Sequence, residues 1–364
     1  MTAATTTGTI QADQAIFTSI RSPMGEGYRI VVASKGVTPD EKREILKYAP
    51  SHGSLSHDSP DARALAYFPL STGRRCIFLT RAAGLEHTGR GGYRVFTHIL
   101  VLEPTGMRAF AWDPFSIAAT IQEYSDEEVR RPPDSMTPKP LTPAKNSGAS
   151  DAIMETLVPA PADSEMTLHI AARLLAEGGL FVVGASNAAT ILHTVWEVLP
   201  AYVRQGISFS CGLKYSPTRS FDVVFTEAST PELIKIERER SSGVYSWGTA
   251  LTPVTTAYPK WLKLVADRWV ENRMGDIRNV CDGLVSECHP VVLEKIAELL
   301  QDLDIVPIAN STTLSQLEQR HSGEECSIGV WGELLKCFSL AVRARQLELD
   351  SRRQSDAQEL SPKI

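Results

Sequence analysis

The alternation of apolar and polar positions divides the chain into three stretches. From Gln14 to Ile45 it reads strand, glycine turn, strand, turn, helix. Gln14–Ile20 alternates and is rich in strand formers, Gly25 and Gly27 interrupt it, and Tyr28–Ala33 is a second strand that Gly36 ends. Thr38-Pro39-Asp40-Glu41 is a capping box with proline at the first helical position, so a helix starts there. Ala64–Leu70 and Arg75–Thr80 are apolar runs separated by Ser71-Thr72-Gly73, which predicts a hairpin. Tyr93–Leu102, YRVFTHILVL, is apolar on both faces and predicts a central strand. Asp113 and Pro114 open a short helix running to Tyr124. Residues 10–124 therefore predict an α+β domain with about five strands and two helices.

The pattern changes after Tyr124. Residues 125–162 hold PPDSMTPKPLTPAKNSGAS, dense in proline, serine and threonine, and predict an extended linker with one short helix at 152–157. Residues 163–250 predict an α/β middle domain. A helix capped by Asp163 ends at Gly178-Gly179, LFVVG at 180–184 is a short buried strand, and a helix capped by Asn187 runs to Val203. Strands at 207–213 and 221–226 follow. Residues 251–364 predict a helical C-terminal region, with helices at 259–271, 290–303, 313–319 and 327–351.

Bulk properties narrow the function classes. A net charge of −6 argues against a general nucleic-acid binder, which needs a basic face to displace counterions. Cysteines stand at 76, 211, 281, 288, 326 and 337 without a CxxC pair, as expected of reduced thiols in the cytoplasm. The start, MTAATTTGTIQAD, has neither a basic segment nor an apolar run, so no signal peptide is expected. No window approaches the ~18 apolar residues of a membrane span.

The chemistry-bearing residues are scattered. There is no GxxxxGK[ST] phosphate loop, and Gly25-Glu26-Gly27 and Gly89-Arg90-Gly91-Gly92 do not join a strand to a helix. FVVGASNAAT runs from strand to helix with one glycine where a dinucleotide fingerprint has three, leaving nucleotide sensing at Ser186–Asn187 as a minor alternative. His52, His57 and Asp58 share one loop and Cys281, Cys288 and His289 another, but neither has zinc-site spacing, so no metal and no cofactor is expected. Cys211 in SFSCGL is a possible nucleophile with His193 or His98 as base, which makes a cysteine hydrolase the alternative function. Arg74, Arg75, Arg81, Arg90 and Arg94 cluster around the 73–94 hairpin and predict a local positive patch in an acidic protein. Trp247, Trp261, Trp269 and Trp331 are interface anchors if exposed and core if not.

Three segments, taken in order, resemble one bacterial family, the GTPase-associated adaptor proteins, in their N-terminal and middle modules. The first is QAIFTSIRSPMGEGYRIVVASKGV, the second GRGGYRVFTHILVL at 89–102, and the third LLAEGGLFVVGASNAATILHTVWEVLPAYVRQGISFSCGL at 174–213. The family often carries threonine where this chain has Cys211. The resemblance implies a non-enzymatic adaptor or scaffold that works with a partner GTPase, or another subunit of the same conflict or signalling system, with no membrane span. The expected contact surface is Arg75, Arg90 and Arg94, shaped by the Gly25, Gly27 and Tyr28 turn and by the Gly89–Tyr93 loop.

Overall fold

The computed structural model describes residues 9–22, 25–85, 92–143, 161–177, 179–185, 187–228, 230–239, 243–247, 258–286, 290–322 and 329–359. It divides into two compact units, one ending at Val254 and one from Thr255 onward.

In the first unit, β1 (Ile10–Ser22) and β2 (Gly25–Ala33) form the predicted hairpin, followed by α1 (Pro39–Tyr48). The capping box is formed: the Glu41 amide donates to Thr38 Oγ1 at 3.2 Å, and the Thr38 amide donates to Glu41 Oε2 at 3.0 Å. Next come β3 (Arg63–Pro69), β4 (Arg75–Leu85) and β5 (Tyr93–Leu102), then three short helices, α2 (Pro104–Ala109), α3 (Pro114–Ala119) and α4 (Asp126–Arg130). As predicted, β5 is central, lying between β4 and β1.

The expected linker is partly ordered. Ser125 and Glu128 make a second capping box at the start of α4, and β6 (Lys139–Leu141) pairs with β1. The expected helix at 152–157 lies outside the described residues. There follow α5 (Pro161–Glu177), β7 (Leu180–Val183), α6 (Ala188–Val198), α7 (Ala201–Gly206), β8 (Phe209–Cys211), β9 (Val223–Thr226), α8 (Thr230–Glu239) and β10 (Val244–Ser246). The helix expected to run from Asn187 to Val203 breaks at Leu199-Pro200, because proline has no amide proton for the helical ladder and pushes the residue before it out of helical geometry.

Among the described residues these strands make one ten-stranded sheet in the order β10-β7-β9-β8-β3-β4-β5-β1-β2, with β6 beside β1. The stretches 10–124 and 163–250, separate in the sequence analysis, share that sheet. Their join is β3 against β8, antiparallel, with Leu65 opposite Cys211 and Tyr67 opposite Phe209. On the β8 side the sheet is parallel, and on the β3 side antiparallel. Gly212 closes the join: it has φ +83, and a Cβ there would collide with the Arg63 carbonyl.

Alternation gives the sheet two buried faces. On one, α1 packs through Ile45 and Tyr48, whose ring stacks on Phe68 at 4.1 Å. On the other, Tyr67, Phe209, Phe115 and Trp196 make an aromatic cluster with neighbouring centroids 5.0–6.5 Å apart. The second unit holds helices at Pro259–Val270, Met274–Gly283, Pro290–Ile305, Ser311–His321 and Gly329–Glu359. Trp261 and Trp331 are core residues there, and Trp269 is half-buried.

Arg74, in the β3–β4 turn, ties several elements together. It pairs with Asp13 of β1 at 2.6 Å, Glu41 of α1 at 3.2 Å and Glu103 before α2 at 3.0 Å, and it donates to the Gly36 carbonyl at 3.1 Å. Glu41 is 1% exposed, so it needs that cation. The variant Arg74→Ala is expected to lose about 3 kcal/mol in urea unfolding, because it leaves Glu41 buried without its charge partner. A loss under about 0.5 kcal/mol, the range of ordinary surface substitutions, would contradict this role.

Candidate functional site

Two of the three arginines expected at a partner surface bind backbone carbonyls, and one of them, Arg94, is buried. Arg94 is 4% exposed. Its Nε donates to the Ala83 carbonyl at 3.2 Å, Nη1 to Ser19 at 3.0 Å and Nη2 to Val129 at 3.3 Å. The five donors of a guanidinium suit it to collecting carbonyls from β1, β4 and α4, and that burial removes it from any docking surface. Arg75 is half-buried: it donates to the Gly73 carbonyl at 2.9 Å and the Gln205 carbonyl at 3.1 Å, and it lies over the Trp112 ring at 5.4 Å. Arg90 and Gly89 lie outside the described residues. Arg81 is engaged with the Tyr124 carbonyl at 2.7 Å and Asp126 at 2.5 Å.

The rest of that expected surface divides. Gly25 opens β2 and Gly27 is exposed. Tyr28 is half-buried, stacks on Phe17 at 5.7 Å and accepts the Val95 amide proton at 3.1 Å. Tyr93 is half-buried and lines a polar hollow of about 250 Å3 with His52, His57, Asp58 and Lys214. His57 Nδ1 there lies 3.5 Å from Glu227. Among the described residues no group of three or more His, Cys, Asp or Glu side chains is arranged to hold a metal ion. Ser186 lies outside the described residues, and the Asn187 side chain makes no cap hydrogen bond.

The thiol and the histidines do not form a catalytic pair. Cys211 is 4% exposed, and burial pushes its thiol up to about 12, the opposite of what a nucleophilic thiolate requires. Directly opposed strand residues share a face, and the row Cys211–Leu65–Leu79–His98 crosses four strands. His98 is thus three strand spacings, roughly 14 Å, from Cys211. His193 is committed elsewhere: its Nε2 lies 3.7 Å from Asp113 and 3.4 Å from Glu197, and its ring stacks on Phe115 at 4.6 Å. Burial alone would raise the Asp113 carboxyl, but His193, Ser116 and Arg204 outweigh it and hold the group below its usual range. Neither His98 nor His193 is hydrogen-bonded to Cys211.

The row does line one cavity of about 360 Å3, between the sheet and the segments at 118–124 and Ala189. His98 forms part of its wall and is 5% exposed. Its Nε2 is 2.9 Å from Gln14 Oε1, while Gln14 Nε2 donates to the Thr137 carbonyl at 2.6 Å. The second bond fixes the amide orientation, so Gln14 offers oxygen to the histidine and the imidazole proton sits on Nε2. Burial, with Lys139 adding to it, lowers His98 to about 4, so the ring is neutral at pH 7. At the rim, Arg63 grips Glu123 through two bonds of 3.0 and 3.1 Å.

Residues 11–143 match the family model described as GTPase-associated protein 1, N-terminal domain type 2. The match supports the resemblance to GTPase-associated proteins over β1–β6 and the helices among them; β7–β9 lie beyond the matched residues. No curated protein matches the chain. Among the described residues no helix is long and apolar enough to cross a membrane.

The sequence reading missed Gln14 and the Arg63–Glu123 pair. Gln14 carries a faint signal, a long polar side chain in an otherwise alternating buried strand. Arg63 and Glu123 are distant in sequence and carry none.

Holding His98 neutral makes stability depend on pH. An unfolded histidine takes up its proton near 6.5, while the folded one resists until about 4. The contribution is therefore complete above about pH 7, declines as pH falls through 6.5 towards 4, and amounts to about 3 kcal/mol. Urea unfolding at pH 7.5 and pH 4 is expected to show wild type losing about 3 kcal/mol more than His98→Gln over that interval. Equal losses would show that His98 titrates normally in the folded state.

Proposed function

We propose that this chain is a non-enzymatic adaptor that binds a partner GTPase, or a neighbouring subunit of the same bacterial conflict or signalling system, through the sheet region of residues 11–143. The observation that carries this reading is the match of those residues to an N-terminal domain of GTPase-associated proteins. The alternative reading, a cysteine hydrolase, is the less favoured because burial keeps the Cys211 thiol protonated and His98 is bonded to Gln14.

With Arg94 buried and Arg75 half-buried and bonded to backbone carbonyls, we place the contact surface on β2. Among the described residues it is the last strand at its end of the sheet, beyond β1, with which it pairs. An edge strand presents backbone donors and acceptors on which a partner strand can add, with side chains setting the register. Gly27 and Arg29 are exposed on it, and Arg29 offers a cation to an acidic partner.

Tagged protein recovered from its native cell, with and without a non-hydrolysable GTP analogue, is expected to bring down a stoichiometric GTPase whose yield depends on nucleotide. Arg29→Glu, at an exposed position, is expected to keep wild-type thermal stability and to reduce that yield at least about tenfold, the scale of a charge reversal in a complementary interface. Absence of a GTPase under both conditions would overturn the adaptor reading. An unchanged yield from the variant would overturn only the assignment to β2.

A further inference from the structure

We propose that the cavity between the sheet and the 118–124 segment binds a small, uncharged aromatic molecule carrying one O–H or N–H donor. Its volume, about 360 Å3, lies within the range of small-molecule sites. Leu65, Leu79, Ile121 and Ala118 supply apolar wall, and Phe96 and Tyr124 meet edge to face at 5.5 Å. Tyr124 also meets the His98 ring edge to face, at 5.0 Å. Rings presented in this way favour an aromatic guest, which can extend the same edge-to-face pattern.

The donor requirement comes from His98. Gln14 takes the proton on Nε2, which leaves Nδ1 with a lone pair. Among the described residues Nδ1 has no hydrogen-bond partner and is not fully buried, and His98 lines the cavity, so we take Nδ1 as the acceptor offered to it. Water can reach this acceptor in the free protein, and a ligand O–H or N–H would take that water's place. The absence of ligand charge follows from the rim. Arg63 and Arg81 both face Glu123, at 3.0 and 3.7 Å, and Arg81 also holds Asp126. These cations are already balanced, and an anionic ligand would have to break their pairs. On the far side of the row stands the Cys211 thiol, which burial keeps neutral. This assignment stands independently of any partner protein.

Phenol and toluene, nearly equal in shape and differing in the donor, are the probes. Calorimetric titration of the full chain is expected to show phenol binding about fivefold to tenfold more tightly than toluene, the worth of one net hydrogen bond. In nitrogen-15 spectra of histidine-labelled protein, phenol is expected to shift the His98 Nδ1 resonance and leave the Nε2–H assignment intact. Ala118→Phe fills the cavity and is expected to weaken both probes at least tenfold. Should that variant fail to fold, Ala119→Phe, at an exposed position on the same wall, serves the same purpose. No phenol binding at millimolar concentration would overturn the site, and equal affinities would overturn the role of His98. Binding unchanged by either filled variant would place the ligand elsewhere and overturn the assignment.

Discussion

The pairing of β3 with β8 is the constraint on which the first unit depends. It is short, from Leu65–Cys211 to Tyr67–Phe209, yet it turns an antiparallel meander and a parallel α/β layer into one sheet. Without it both β3 and β8 would be edges, each presenting a row of unpaired backbone N–H and C=O groups. The surroundings of the join are correspondingly specialised. Gly212 lets the chain leave β8 against the Arg63 carbonyl. Ala111 and Trp112 adopt positive φ of 50 and 59°, a strained arrangement for residues other than glycine. Their carbonyls are taken up by Arg204 Nη1 at 3.0 Å and Trp196 Nε1 at 3.0 Å. Arg75 adds its bond to Gln205 from the other side. The strain is sustained because both halves of the sheet over-determine it.

The need to satisfy backbone carbonyls explains the arginines. A sheet assembled from distant segments leaves backbone carbonyls at strand ends and helix ends, and each needs a donor. Arg94 and Arg204, 4% and 2% exposed, each collect three of them. Guanidinium groups suit this work because they present several donors in a fixed fork and are desolvated more readily than an ammonium. A cluster of arginines around a hairpin therefore marks where backbone must be satisfied as readily as where a partner docks.

Local signals in the sequence translated faithfully into structure. The capping box at Thr38–Glu41, the glycine-broken β1–β2 hairpin, the Ser71-Thr72-Gly73 turn and the two-faced apolar run of β5 were legible because each depends on neighbouring residues. The join was not, because the pairing of Leu65 with Cys211 is a contact across 146 positions that neither periodicity nor capping encodes. The proline-rich stretch after Tyr124 suggested a boundary between domains, and composition at that point does change; what composition cannot show is that β8 returns to β3. The candidate chemistry follows the same rule. The types of Cys211, His98 and His193 were visible, while their separation, and the Gln14 bond that fixes the His98 proton, became visible only with the sheet register.

The cavity and the braced arginines are built on one sheet, and native-state hydrogen exchange tests its cooperativity most directly. If the β3–β8 join holds the two layers as one unit, the slowest amides of β4 and β5, such as Phe78 and Ile99, and those of β7 and β9, such as Val182 and Val224, will open with the same free energy and the same urea dependence. If the amides of β7 and β9 exchange through a separate opening of lower free energy while β4 and β5 remain protected, the first unit is two domains in contact, and the account built on a single sheet is wrong.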